Sequence, residues 1–492
     1  MFEDEHHGPA QTETSSELAY RVHWAAVGIL AAVGAGGNAP IIEGAVAVLS
    51  LVGFALLIAN RETYDGKQRT LYWRALLWML PVWVVVGTLV VGHFFPAFHT
   101  IIQGEDKSVQ LLPLPPSWVP VGAALKVAGV EAMLAAGVFS ASLNALLMCK
   151  SRLVFARTWA ILSLCAGALA MLGLVQYGAG ATDILWAIPT GNPQFFASFP
   201  HPAQWCAFAL LWMGATLGLI AWLVRQRGGH WLSADGWLFL TAAILLGVSI
   251  AVVGEPAYRL LAALVAGLGC FVIAWQTRQE RLKGKRSTLS VALLGWVLAG
   301  VALFGVAAQV AIHNPLDEWI HYANGGALMH ERVIEDTRSM WQGRKWFGWG
   351  AGSYRVVYGF FQGADQGGQY YAYARSDLWQ SLAEHGIIGT LVWWVPVLGV
   401  LARLIWQKRI AAFLVPPAAA LAAIAALTVV DFPLASPAVF FGFWLILFSI
   451  ARWSEVDQEN TPSALSGNRR MQKLRADGQT LLPVPAPSPP SA

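Results

Sequence analysis

His330-Glu331-Arg332-Val333-Ile334-Glu335-Asp336, Trp346-Phe347-Gly348-Trp349-Gly350-Ala351-Gly352-Ser353-Tyr354 and Ala374-Arg375-Ser376-Asp377-Leu378-Trp379-Gln380-Ser381-Leu382-Ala383-Glu384-His385-Gly386 all lie in one polar stretch, Ala311 to Gly389. It is the only long polar segment between two strongly apolar blocks, and everything on either side of it reads as membrane. Arg332 and Asp336 stand one helical turn apart, so they share a face and can pair. Ser376 is placed to cap a helix that has Asp377 beside its positive end and runs straight into the apolar 387–400. The stretch therefore reads as a partly helical lid, held against the membrane surface at both ends.

Composition supports that reading. Hydrophobic residues make up 56% of the 492 and charged ones 12%, with a mean hydropathy of +0.53, a balance that belongs to an integral membrane protein. The net charge of +4 gives no reason to expect nucleic acid. The four cysteines, Cys149, Cys165, Cys206 and Cys270, sit in or beside apolar runs without metal-like spacing. They read as small apolar packing residues rather than a disulfide framework or a zinc site. Residues 1–17 are acidic and polar, unlike a cleaved secretory signal.

Runs of the roughly 20 apolar residues that a bilayer requires fall at about 22–38, 40–59, 71–94, 123–148, 155–178, 204–224, 232–253, 257–276, 288–311, 386–405, 410–430 and 434–452. The expected fold class is thus all-α membrane, with about twelve transmembrane helices and a large, partly helical external loop. The expected organisation is a tail at 1–21, nine spans over 22–311, the loop at 312–385, three spans over 386–453 and a proline-rich, disordered tail at 454–492. Arg61, Lys67, Arg69, Lys150, Arg152, Arg225, Arg227, the basic cluster after Trp275, Lys408 and Arg409 all follow spans on one side. By the positive-inside rule that side, with both termini, is cytoplasmic, and the 312–385 loop faces out. Glu43, Lys126 and Glu131 lie within spans, either near an aqueous end or facing the bundle interior.

Polar groups at the outer span ends are the natural partners of such a loop. The prolines flanking His201 hold an irregular backbone and present its imidazole at the membrane edge, as either a site residue or an interfacial histidine. Arg259, one turn from the tight Gly254-Glu255-Pro256 connection, either awaits an anionic substrate or pairs with Glu255. Gly348-x-Gly350-x-Gly352 lacks the strand–turn–helix context of a dinucleotide fingerprint and reads better as a tight turn against the bundle. Arg332, Arg338, Arg344, Lys345, Arg355 and Arg375 make the loop basic, which suits a phosphate-bearing ligand or is simply a solvated charged surface.

In this order these pieces resemble the O-antigen ligase and polymerase superfamily. Phe199-Pro200-His201-Pro202-Ala203-Gln204-Trp205-Cys206-Ala207 is similar to its F-x-N-x-N-x-x-A segment, with His201 and Ala203 at the asparagine positions. Arg259 resembles the family's S-R-G arginine, and Arg332 with the 346–354 run resembles its R…G-x-G-x-G-x-[FY] block. Leu378 to Gly389 resembles L-x-Q-x-x-x-E-x-G-x-x-G, which brings in Gln380 and Glu384, and Val430 to Ala438 resembles V-D-F-P-x-x-x-P-A. The likeness covers about 200–440, while 1–190 match only as a string of spans. Where the family has A-H-N-D, this chain has Ala374-Arg375-Ser376-Asp377, without the histidine and asparagine.

The resemblance implies a metal-independent, cofactor-free glycosyltransferase at the periplasmic face of a bacterial inner membrane. It would move a glycan from an undecaprenyl-diphosphate carrier to an acceptor, the lipid A core for a ligase or another lipid-linked repeat for a polymerase. Arg259, Arg332, Arg338 and Arg375 would hold the substrate with Gln380 and Glu384, and Asp377, His330 or His201 would accept the acceptor's proton. Competing readings are a transporter, since twelve spans with both ends inside is a common carrier layout, and a member that binds lipid-linked glycan without catalysis.

Overall fold

The computed structural model describes residues 14–34, 36, 39–59, 68–95, 99–102, 108–111, 115–189, 195–227, 234–282, 328–363, 371–406 and 410–459. Helices dominate them, and eight are long and apolar enough to cross a membrane, which makes this a multi-pass membrane protein. The shorter apolar helices Leu80–His93 and Ala412–Leu427 lie among them. The expected span at 288–311 falls outside the described residues. An antiparallel hairpin that periodicity did not suggest pairs His99–Ile102 with Ser108–Leu111.

Several boundaries differ from the expected ones. The expected tail at 1–21 already turns helical at Ser15, where Thr14 and Glu17 form a capping box. The single span expected at 71–94 is two helices, Gln68–Trp78 and Leu80–Gly92. Pro81 accounts for the break, because it has no N–H to bond back to the preceding turn. The last helix, Pro437–Glu459, continues past the expected start of the tail at 454.

The Pro202–Arg227 helix is the axis of the bundle. It is apolar on all sides, and every residue from Gln204 to Val224 is buried by protein. Helices Ala234–Val253 and Pro256–Leu282 pack against it and against each other as antiparallel neighbours through the short turn at Gly254-Glu255. Helices Pro40–Ala59 and Leu125–Leu147 approach so closely that a Cβ on Gly53 would lie 2.7 Å from the Ala141 backbone. Small residues at the contact permit this kind of packing in membranes. The Asp377–Trp406 helix lies at the edge, and Leu391, Leu398 and Ile405, seven residues apart and so on one face, are largely exposed. In a bilayer that stripe faces lipid.

Candidate functional site

The site is built around a break in a helix. Asp377–Trp406 kinks at Gly386, whose φ of 65° and ψ of −172° suit only glycine. The kink interrupts the bonds that Ile387 and Ile388 would make to Ala383 and Glu384. The 345–350 segment, with Gly348-x-Gly350 at its end, lies in the gap and satisfies all four groups. Trp349 N donates to Ala383 O at 2.9 Å and Gly350 N to Glu384 O at 2.8 Å, while Ile387 N and Ile388 N donate to Lys345 O and Trp346 O. Backbone meets backbone here: a Cβ on Gly348 would lie 2.4 Å from the Glu384 carbonyl carbon. The glycine run thus makes the tight turn against the bundle that its sequence suggests, and the helix does not run straight through.

Ser376 caps the helix as expected, its Oγ accepting from Trp379 N at 3.3 Å and donating to Val429 O at 2.8 Å. Asp377 N and Leu378 N donate to Asp431 O and Thr428 O. The Asp377 carboxylate accepts from Leu434 N at 2.7 Å, which ties the helix start to the turn at Pro433–Ala435.

A cavity of about 250 Å³ opens beside the kink. Glu43, Glu131, Arg355, Tyr373, Gln380 and Glu384 line its polar part, and Trp393, Val397, Phe440, Phe443 and Trp444 form an apolar, mostly aromatic floor, Trp393 and Val397 lying two or more turns beyond Glu384 on the same helix. Glu384 is 5% exposed; its Oε1 accepts from Tyr354 N at 3.1 Å. Across Gly352 stands Glu131, whose Oε1 would lie 3.1 Å from a Cβ on that glycine. Arg355 is the guanidinium these carboxylates share. Its Nη2 donates to the Tyr373 hydroxyl at 3.3 Å. Burial works against its charge, but Tyr373, Glu131, Glu43 and Glu384 outweigh burial and hold its pKa above the ordinary arginine value.

A second cluster adjoins the cavity through Tyr373. Tyr373 stacks on Phe432 at 5.4 Å between centroids, and the His201 ring meets Phe432 edge-on at 5.5 Å. The Arg375 guanidinium lies 5.4 Å from the centre of the same Phe432 ring, on a backbone with φ of 58°, uncommon outside glycine. Burial first and the Arg375 charge second push the His201 pKa down to about 4, so this imidazole is neutral near pH 7. Below them the Tyr258 hydroxyl donates to Asp431 Oδ2 at 2.6 Å. Burial pushes the Asp431 carboxyl up, against the opposing pull of Tyr258, the Phe432 amide and Arg375.

Among the expected site residues, the fold brings Asp377, Gln380 and Glu384 to the cavity wall. Gln380 Oε1 also accepts from Ala374 N at 3.2 Å. His201 and Arg375 belong to the adjoining cluster. Arg259 lies beside Cys206 and feels the same electrostatic neighbourhood as Glu255 and Asp431; its Nε is buried with no hydrogen-bond partner among the described residues. Arg332 and Arg338 are exposed on the Leu328–Gly343 helix, where Arg338 stacks over Trp379 at 4.7 Å. His330 is on the same helix, and its side chain lies outside the described residues. The Asp336 carboxylate accepts from Gly363 N at 3.2 Å.

One of the six loop cations is not available to a ligand. Arg344 is 2% exposed and donates to the carbonyls of Pro115, Pro116 and Val119, clamping the loop to the segment before Leu125. Sequence reasoning counted Arg355 only as one of the six basic loop residues and did not single it out, yet among those six it is the one that lines the cavity. It left Glu43 and Glu131 between two readings, and the structure turns both into the bundle. The usable signal was there, because a carboxylate inside an apolar span marks function more often than not. Models of known protein families give no match to the chain, and neither do the curated proteins.

Proposed function

We propose that the chain is a membrane glycosyltransferase of the O-antigen ligase type. It passes a glycan from an undecaprenyl-diphosphate carrier to an acceptor sugar at the outer face of a bacterial inner membrane, with both termini in the cytoplasm. The observation that carries this reading is the cavity's division into charged groups around Arg355 and an aromatic floor set deeper among the helices. Such a division suits a substrate that is polar at one end and lipid at the other. Arg375 over Phe432 in the adjoining cluster, and Arg259 with its unpartnered Nε beside Cys206, suit a leaving diphosphate, which guanidinium groups match in a planar fork. A group of three or more His, Cys, Asp or Glu arranged to hold a metal ion is absent among the described residues.

In this reading the acceptor hydroxyl attacks the anomeric carbon, the bond from that carbon to the phosphate oxygen breaks, and the lipid diphosphate leaves with its charge held by arginine. The acceptor proton passes to a carboxylate of the cavity. Asp377 is placed less well for that task than the sequence suggests, because its Oδ2 is already held by Leu434 N. His201 is neutral and so able to accept a proton, but its low pKa makes it a weak base.

The test is transfer by the purified full-length protein from a fluorescent undecaprenyl-diphosphate glycan to lipid A core, or to a second lipid-linked repeat. Product with the first acceptor supports a ligase and product with the second a polymerase. Donor binding without product supports a non-catalytic binder, and flux of a solute across proteoliposomes without transfer supports a carrier. Arg259→Ala removes charge-assisted bonds of about 1.5–3 kcal/mol each, so it is expected to weaken transfer at least tenfold, with Arg259→Lys recovering part of the loss. Reporter fusions at Lys283 and Lys408 are expected inside and one at Gly363 outside; an inside signal at Gly363 overturns the orientation.

A further inference from the structure

Four carboxyl side chains, Glu43, Glu131, Asp377 and Glu384, line a cavity to which Arg355 contributes the one guanidinium among the described residues. Two of them are committed to the backbone, Asp377 to Leu434 N and Glu384 to Tyr354 N. Glu131 is set inside the helix bundle, within electrostatic reach of Arg355, Glu43 and Glu384. Neither its carboxylate nor that of Glu43 makes a hydrogen bond among the described residues. Carboxylate oxygens that line a cavity among apolar groups and take no donor from the protein are free to accept from whatever occupies it. A metal ion is one such occupant, but no ligand group for it forms among the described residues. Hydroxyl or ammonium groups of a ligand are the other.

The remaining wall narrows the choice. Tyr373, Trp393, Phe440 and Trp444 line the cavity; aromatic rings suit the C–H face of a pyranose, while carboxylates and Gln380 suit its hydroxyls. At about 250 Å³ the space is at the small end of ligand pockets and admits one sugar ring. Four carboxyl groups face one guanidinium, so any of them that ionises takes up that cation and leaves none spare for an anionic ring. We infer that this cavity is a sugar subsite selective for charge, taking an unphosphorylated neutral or amino-bearing ring and rejecting a uronic acid. On the transferase reading, on which this assignment rests for its biological role, it seats the acceptor sugar while the diphosphate stays with Arg259 and Arg375.

Saturation-transfer NMR on the purified full-length protein in detergent tests this with three probes: methyl glucoside, methyl glucosaminide and methyl glucuronide. The glucosaminide is expected to bind at least as well as the glucoside, and the glucuronide at least tenfold more weakly than either. Glu131→Gln, with its melting temperature checked, is expected to bring the three probes within about threefold of one another, and Glu43→Gln, on a different helix, to shift them in the same direction. The proposal is overturned if the wild-type protein binds glucuronide as well as glucoside, if none of the probes binds, or if neither glutamine variant changes the order. Transfer from the lipid-linked donor is measured separately. Charge-selective sugar binding without transfer leaves the subsite standing and removes the transferase; transfer without charge selection does the reverse.

Discussion

At one end of the bundle Arg403 and Arg452 both reach Glu455, Arg225 meets Asp457 at 2.8 Å, and Glu17 accepts the amides of Lys150 and Ser151 at 2.8 Å. At the other end Glu43, Glu131 and Glu384 gather about Arg355. The first end gives each charge a directly bonded partner, even where the carboxylate is buried, as at Glu17 and Asp457. The second gathers three carboxylates about one cation, and their mutual repulsion is tolerable only while that cation remains. Such an arrangement works against stability, and a cavity lies where it occurs. The contrast points to the Arg355 end as the working end and the Glu455 end as an anchor.

The sharpest way to break this contrast is Arg355→Ala. Removing the shared cation leaves buried carboxylates uncompensated, a change worth about 3 kcal/mol or more. A large drop in melting temperature is expected, together with a loss of transfer of about 100-fold or more. Should Arg355→Ala melt no lower than Arg403→Ala, the two ends are equivalent and the contrast fails.

Next in size is Gly348→Ala. The added Cβ meets the Glu384 backbone at 2.4 Å on a residue with φ of 65°, so it must push the loop off the kink. A cost of about 2–3 kcal/mol is expected from strain and lost backbone bonds, seen in thermal melts together with faster amide exchange at Trp349 and Gly350. A melt unchanged from wild type shows that the interlock does not hold the site.

A smaller effect concerns pH. The folded-state pKa of His201 is about 4, below its ordinary value near 6.5. Between those values the unfolded chain binds the proton and the folded one does not, so stability falls as pH drops from about 6.5 toward 4 and the loss levels off below 4. A contribution on the order of 1–2 kcal/mol is expected, and His201→Gln removes it. Melting curves for both proteins at pH 7 and pH 4.5 check this; identical acid sensitivity shows that other groups set it.

Glu455→Gln is expected to be the mildest, costing about 0–1 kcal/mol with no change in transfer, because its partners can turn to water. A loss of transfer there would make the anchor end part of the machinery.

Much of this was legible in one dimension. Apolar run length marked the multi-pass character, Ser376 announced its cap, and the glycine run announced a turn against the bundle. Pro81 carried the signal of the break at Met79, but it stood within an apolar run that otherwise looked continuous. The site was legible in part: Gln380, Glu384 and Asp377 lie one turn apart on one helix, so local periodicity sufficed to group them. Arg344 and Arg355 look alike in the sequence and are opposite in the fold, one spent on three carbonyls and the other shared by carboxylates.

By itself, then, the sequence determined that the chain crosses a membrane repeatedly, and that glycines and polar residues concentrate in the 346–386 region. Both follow from local properties, namely the transfer free energy of each side chain and the backbone freedom of glycine. Only the tertiary structure decided that Glu43, Glu131 and Glu384 meet Arg355, and that the 377–406 helix breaks to receive the glycine run. Those contacts join residues up to 312 positions apart (355 − 43), and their energies depend on distance, burial and exclusion of water, none of which a residue carries with it along the chain.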